Sequence, residues 1–142
     1  MTPNEYLQAS ARTEHTPLFI ETGDGLGSAG DDRMYSQLMH AAMGMVTESG
    51  EFIDALKKLV IYGKTLDRTN LVEELGDLQW YIALACRALG VSFEEVFERN
   101  ISKLRRRFPD KFTSEQALIR DLDAERAALE GRLAGQTVIG DK

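Results

Sequence analysis

Residues 70–90 read NLVEELGDLQWYIALACRALG, and their spacing decides the fold class. Leu71, Leu75, Leu78, Ile82, Ala85 and Leu89 recur three and four positions apart, the period of a helix with one apolar stripe. Asn70 and Glu73 form an N-cap and N3 pair ahead of the stripe, and Gly90 stands where a left-handed cap would end it. Upstream, Leu38, Ala42, Met45, Phe52, Leu56 and Leu59 predict a helix from about Arg33 to Ile61, stopped by Gly63. Downstream, Ser92 with Glu95 opens a helix whose stripe is Phe97, Ile101, Leu104 and Phe108, ending at Pro109. Thr113 with Gln116 opens a last helix through about Glu130. Thr2, Pro3 and Glu5 make a capping box with proline at the first helical position, predicting a short helix to about Arg12. No stretch alternates with period two, so the expected fold is an all-α helical bundle.

The 142 residues suit one domain. Within it we expect an N-terminal helix and loop over 1–33, a helical core over 34–112, and a C-terminal helix over 113–131 with a polar tail. A hydrophobic fraction of 43% supports a core. The net charge of −6 argues against a nucleic-acid polymer as partner, because phosphate backbones need a basic footprint. No apolar run is long enough for a bilayer, and MTPNEYLQAS does not read as a signal peptide. Cys86 is the only cysteine, read as a small core filler, which leaves no intramolecular disulfide and suits a reducing cytoplasm (a host's, if the protein is phage-encoded). The glycine-rich stretch Thr22–Asp32 lacks the Gly-Lys-Ser/Thr ending of a phosphate-cradling loop. It reads as a surface loop, with a lid over a substrate as the alternative.

Two acid pairs carry the chemistry. Glu48 and Glu51, and Glu74 and Asp77, are each three residues apart, hence on one helical face. Acids on helices ordinarily pair with Lys or Arg three or four positions away, as Asp54 can with Lys57 and Lys58, and Glu95 with Arg99. None of the four has a basic residue at those positions. Two carboxylates about 6 Å apart repel by roughly 3 kcal/mol at an effective dielectric near 20. Either the pairs stay apart, or a divalent cation holds them together. All-oxygen ligation favours Mg²⁺ first and Mn²⁺ second. Iron is disfavoured, since neither His15 nor His40 supplies a Glu-x-x-His pair.

Glu48-x-x-Glu51, 22 residues (52–73), then Glu74-x-x-Asp77, resembles the metal motif of MazG-like all-α nucleoside triphosphate pyrophosphohydrolases. Dimeric dUTPases, dCTP pyrophosphatases and phosphoribosyl-ATP pyrophosphohydrolase share that superfamily. The strings Glu74-Leu-Gly-Asp77-Leu-Gln-Trp80-Tyr81 and Asn100-Ile-Ser-Lys103-Leu-Arg-Arg-Arg107-Phe-Pro109 resemble small bacterial and phage members, over residues 34–112. The resemblance implies that Glu48, Glu51, Glu74 and Asp77 hold Mg²⁺ and are catalytic. Water would attack the α-phosphorus of a (deoxy)nucleoside triphosphate, and pyrophosphate would leave. It implies that Tyr81 touches the sugar or phosphate of the substrate. Many relatives carry another Glu directly before the first pair. Here that position is Thr47, which bears on the number of metal ions.

Asn100, Lys103 and Arg107 each stand one position before a stripe residue, on the track that the acids occupy on their helices. They are candidates for phosphate and sugar oxygens; the alternative is that the basic cluster offsets the helix dipole. Trp80 and His40 are candidates for a base pocket. Gly50 and Gly76 each precede the second acid of a pair, which suggests a close backbone approach at both. Met39, Met43, Val60 and Ile61 are apolar yet off the stripe, and with the resemblance they predict a homo-oligomer, a dimer or tetramer. The rival readings are a helical interaction module that keeps the scaffold without catalysis, and a hydrolase of phosphoribosyl-ATP or an alarmone.

Overall fold

The computed structural model describes residues 1–15 and 29–131, and among them there is no strand. Thr22–Ser28 of the glycine-rich stretch, and with them the lid alternative, lie outside the described residues; the remainder opens a helix four residues ahead of the expected start. The chain runs α1 (Pro3–Ser10), a 3-10 turn (Ala11–Thr13), α2 (Ala29–Tyr62), α3 (Arg68–Leu89), α4 (Phe93–Arg107), α5 (Ser114–Leu118) and α6 (Leu122–Leu129). It divides into two compact units, Met1–Phe93 and the residues from Glu94 onward. No helix among the described residues is long and apolar enough to cross a membrane.

In the first unit α2 and α3 form an antiparallel hairpin. Gly63 takes φ +62° and donates to the Leu59 carbonyl, and Lys64 donates back to that of Lys58, so the end of α2 is capped by a residue that tolerates the left-handed region. The start of α3 corrects the sequence reading. Its N-cap is Asp67, whose carboxylate accepts from the amides of Thr69 (3.0 Å) and Asn70 (3.1 Å). A carboxylate at the positive helix end outcompetes the neutral Asn70 three residues later. Gly90, at φ +66°, closes α3 as expected, with Val91 donating to the Cys86 carbonyl.

The buried stripe also differs from the expected one. Leu75 and Leu89 are exposed, at 52% and 57%, whereas Ala41, Ala55, Ala83, Leu84 and Cys86 are buried. Toward α2 the approach is set by Gly44, against which the Tyr81 ring lies, while Ala83 and Cys86 turn to the cluster around Leu7 and Phe93, which leaves Leu75 and Leu89 off both contacts. α1, started by the expected Thr2–Glu5 capping box, lies along α3. Leu7 joins Ala83, Cys86 and Phe93 in the core there, beside Tyr6, Ile82 and Val91.

The second unit holds nearly all of α4, with α5 and α6. One helix from Thr113 to Glu130 is expected from sequence, and two are found. Thr113 caps α5 as predicted, but Asp121 accepts from the Ala124 amide (2.9 Å) and starts α6 afresh. An internal cap of this kind satisfies the amides of a new helix and so favours a break.

Candidate metal centre

The close α2–α3 interface decides where the acids lie. Gly44 is buried against the Tyr81 ring, and a Cβ built on Gly44 would stand 2.1 Å from it. Only a residue without a side chain lets Tyr81 cross α2 at this level. One turn further along α2 is Glu48, and facing it on α3 are Glu74 and Asp77. Each of these three offers a carboxylate oxygen, and the three oxygens lie within 4.8 Å of one another. Because the interface has shifted off the leucine line, Glu74 is buried at 3% exposure rather than placed on the rim. Its Oε1 accepts from Asn70 Nδ2 at 2.6 Å, which is how the displaced cap candidate is used.

Glu48 responds to this company. Its carboxyl is pushed above the ordinary range by burial first, then by the charges of Glu51 and Asp77, and also by Glu74. The opposing influence is a bond from Thr47, whose hydroxyl lies 2.9 Å from the Gly44 carbonyl and 3.4 Å from Glu48 Oε1. Thr47 is thus a polar neighbour that offsets part of the upward shift of Glu48. Glu51 is exposed and stands outside the trio, but it lines the same neighbouring cleft as Glu74.

The acids lie between two clefts. One, of about 480 Å³, is lined among others by Thr47, Glu51, Asp54, Lys58, Asn70 and Glu74. Lys58, ion-paired to Asp54 at 2.8 Å, brings a positive charge to it. The other, of about 410 Å³, is lined by Thr13, Glu48, Asp77, Trp80 and Tyr81. There His40, Trp80 and Tyr81 pack edge to face, with ring centroids 5.0 Å apart for Trp80–Tyr81 and 5.6 Å for His40–Tyr81. Tyr6 reaches the same region of α3, its hydroxyl donating to the Gly76 carbonyl at 3.3 Å and held above its usual range by burial and by the charge of Asp77.

Asn100, Lys103 and Arg107 all lie on α4 in the second unit. Asn100 is exposed and Lys103 half-buried. Arg107 is already matched in charge, since its Nε and Nη2 donate to the two oxygens of Glu125 at 2.8 and 2.7 Å. The expected close approach at Gly50 and Gly76 is not found: a Cβ at either would meet nothing within 4 Å among the described residues. The close approach is at Gly44. Sequence reasoning also passes over Lys58, Thr13 and Arg87. Arg87 had a readable signal, a charge inside the apolar run Ala83-Leu-Ala-Cys-Arg-Ala-Leu89 that demands a buried partner.

The carboxylate set fits a hard divalent cation: converging oxygens from two helices, and no cation among the charges that shift Glu48. Comparison with known proteins points the same way. The MazG nucleotide pyrophosphohydrolase domain matches residues 37–112. The chain is also 35% identical over 83 residues to the Gene 37 protein of Mycobacterium phage L5, covering 56% of this chain and 73% of that one. No solved structure matches it. The matched domain spans more than half of the 142 residues and contains both acid pairs, and the chain belongs to the MazG nucleotide pyrophosphohydrolase family.

Proposed function

We propose that the protein hydrolyses a (deoxy)nucleoside triphosphate to the monophosphate and pyrophosphate, with Mg²⁺, or Mn²⁺ in its place, at Glu48, Glu51, Glu74 and Asp77. The observation that carries this reading is the convergence of Glu48, Glu74 and Asp77 oxygens within 4.8 Å, a repulsive arrangement without a cation. MazG-family enzymes generally depend on divalent metals. When bound, such an ion supplies charge neutralisation of phosphate oxygens and a more acidic water.

The residues of the chain divide the remaining work. The cleft with Lys58 and Asn70 takes the departing phosphates, and the aromatic cleft takes the nucleoside, so the α-phosphorus lies over the acids. Tyr81, fixed by Gly44, borders the sugar, and Trp80 with His40 forms the wall for the base. Water oxygen bonds to the α-phosphorus as the bond from the α-phosphorus to the α,β-bridging oxygen breaks. The electron pair leaves with pyrophosphate, and the proton of the water goes to one of the carboxylates. Asn100, Lys103 and Arg107 are assigned to phosphate and sugar oxygens.

We also propose self-association as a dimer or tetramer. Met39, Met43, Val60 and Ile61 are all more than half exposed, and Val46 and Ile53 continue the same face of α2 at 72% and 64%. An apolar face of this extent fits a second copy. Light scattering coupled to size exclusion reads the state, and a monomer at micromolar concentration would refute it. For the activity, a panel of nucleoside triphosphates with Mg²⁺ is assayed for monophosphate and pyrophosphate, with Glu74→Gln as control. Release of diphosphate and orthophosphate instead would overturn the assigned bond.

A further inference from the structure

A buried charge lies outside the acid centre. The Arg87 side chain is 16% exposed and its partner Glu14 14%. Arg87 Nε donates to Glu14 Oε2 at 2.8 Å, and Nη1 donates to the Leu7 carbonyl at 3.0 Å and to Ser10 Oγ at 2.8 Å. Three bonds from one planar fork thus grip the end of α1 and the turn after it. Glu14 also accepts from Gln37 of α2, so this one carboxylate ties the N-terminal segment to both hairpin helices. Between the gripped points Ser10 and Glu14 lies Thr13. Its hydroxyl donates to the Ser10 carbonyl at 3.0 Å and accepts from Trp80 Nε1 at 2.8 Å. Trp80 and Thr13 both line the aromatic cleft beside Glu48 and Asp77.

From this geometry we propose that Arg87 is a positioning residue for nucleoside binding: it clamps the N-terminal segment onto α3 so that Thr13 fixes the indole of Trp80 as a wall of the subsite. The ligand class is the nucleoside part of the substrate, a planar base that packs on a pre-set aromatic ring. The inference rests on the hydrolase reading for its ligand, but the clamp itself does not. A guanidinium suits the task and an ammonium does not, because only the planar fork reaches a carboxylate, a carbonyl and a hydroxyl at fixed angles.

Trp80 is the only tryptophan, so its fluorescence reports the clamp without metal or turnover. In the metal-free full-length protein, Arg87→Lys and Thr13→Val each should red-shift Trp80 emission and increase its quenching by acrylamide, while Thr13→Ser, which keeps the hydroxyl, restores both. Circular dichroism verifies that the helices persist, and Thr13→Val keeps the test alive if Arg87→Lys unfolds. With nucleoside triphosphate and Mg²⁺, Arg87→Lys should raise KM about 3- to 10-fold, the loss of one hydrogen bond's worth of positioning, with kcat held within about 2-fold. Inorganic tripolyphosphate has no nucleoside, and its inhibition constant should stay unchanged. Emission indifferent to both substitutions would sink the clamp, whatever the activity. A tripolyphosphate constant rising in step with KM, or a fall confined to kcat, would sink the assignment to the nucleoside. A wild type that turns over no nucleotide, beside variants that show the Trp80 response, would instead remove the hydrolase reading and leave the clamp standing.

Discussion

Among the described residues the fold buries two glutamates, Glu74 at 3% exposure and Glu125 at 4%, and their surroundings are opposite. Glu125, in the C-terminal unit, accepts from Arg107 and also from Arg120 Nε and Nη2, at 3.3 and 2.7 Å. Hydrogen bonds from the two guanidiniums hold its carboxyl down to about 2. Glu74, in the N-terminal hairpin, has one neutral donor, Asn70, and its neighbours Glu48 and Asp77 are acids. A burial that pairs opposite charges contributes to structure. One that gathers like charges costs stability and persists only where something else uses it.

The largest expected effect tests the second half of that contrast. Glu74→Gln keeps an acceptor for Asn70 and removes one repelling charge, so the metal-free helices should remain folded. Hydrolysis should fall by at least about 100-fold, since even residues supporting metal ligands are worth 10- to 100-fold. In the wild type, Mg²⁺ at about 100 times its Kd should add roughly 2.7 kcal/mol of stability, read as a rise in melting temperature. Glu74→Gln should lose most of that rise. A variant that kept the full shift would place the ion elsewhere.

Glu125→Gln tests the first half. It leaves two guanidiniums facing a neutral amide, so the C-terminal unit should melt several degrees lower, equally with and without Mg²⁺. Segment-resolved hydrogen exchange separates the units; protection lost in α2 and α3 instead of α4 and α6 would contradict the assignment.

The two sites should also respond to pH with opposite sign. The carboxyl of Glu125 is depressed from 4.5 to about 2, so its contribution is complete above pH 4.5 and is lost as pH falls toward 2. That of Glu48 is raised above 4.5, so in metal-free protein its contribution is fullest below 4.5 and is lost as pH rises through the raised value. After correction for intrinsic rates, exchange in the metal-free hairpin should slow as pH drops from neutrality toward 4.5, whereas α4 and α6 stay unchanged and loosen only below that. Mg²⁺ should reduce the dependence in the hairpin. Parallel profiles in both units would end the comparison.

The same contrast shows what was legible in the sequence. The acid pairs were readable because a lack of local cations is a property of spacing alone: no Lys or Arg stands three or four positions from Glu48, Glu51, Glu74 or Asp77. Helix ends written as glycine, at Gly63 and Gly90, were equally plain. Choices between competing local signals were not. Asp67 prevailed over Asn70 as a cap, and Asp121 divided the last helix, because each carboxylate won hydrogen bonds that a pattern search weighs equally with several others. Contacts across long separations were hidden as well. The Arg87–Glu14 and Trp80–Thr13 bonds join positions 73 and 67 residues apart, and nothing in the local period marks them. The leucine stripe misled because helix approach is set by the smallest side chains at the crossing, here Ala41 and Gly44, not by the largest.

The smallest expected effects come from the glycines, and they separate crowding inside one chain from crowding between copies. Gly44→Ala puts a methyl into the ring of Tyr81, so either Tyr81 turns or the helices part, at a cost of about 1–3 kcal/mol as for other overpacked sites. Gly76 has open space among the described residues, and Gly76→Ala should gain up to about 1 kcal/mol from helix propensity. Gly76 adjoins Leu75, which is 52% exposed and stands on the same helix as Val72, 68% exposed. Should Gly76→Ala instead lower the melting temperature, and do so more steeply at higher protein concentration, the missing neighbour would be the backbone of a second copy. The matched glycines at positions 50 and 76 would then mark where protomers meet, leaving Gly44 as the glycine that the helix crossing itself requires and Gly63 as the one that its turn requires.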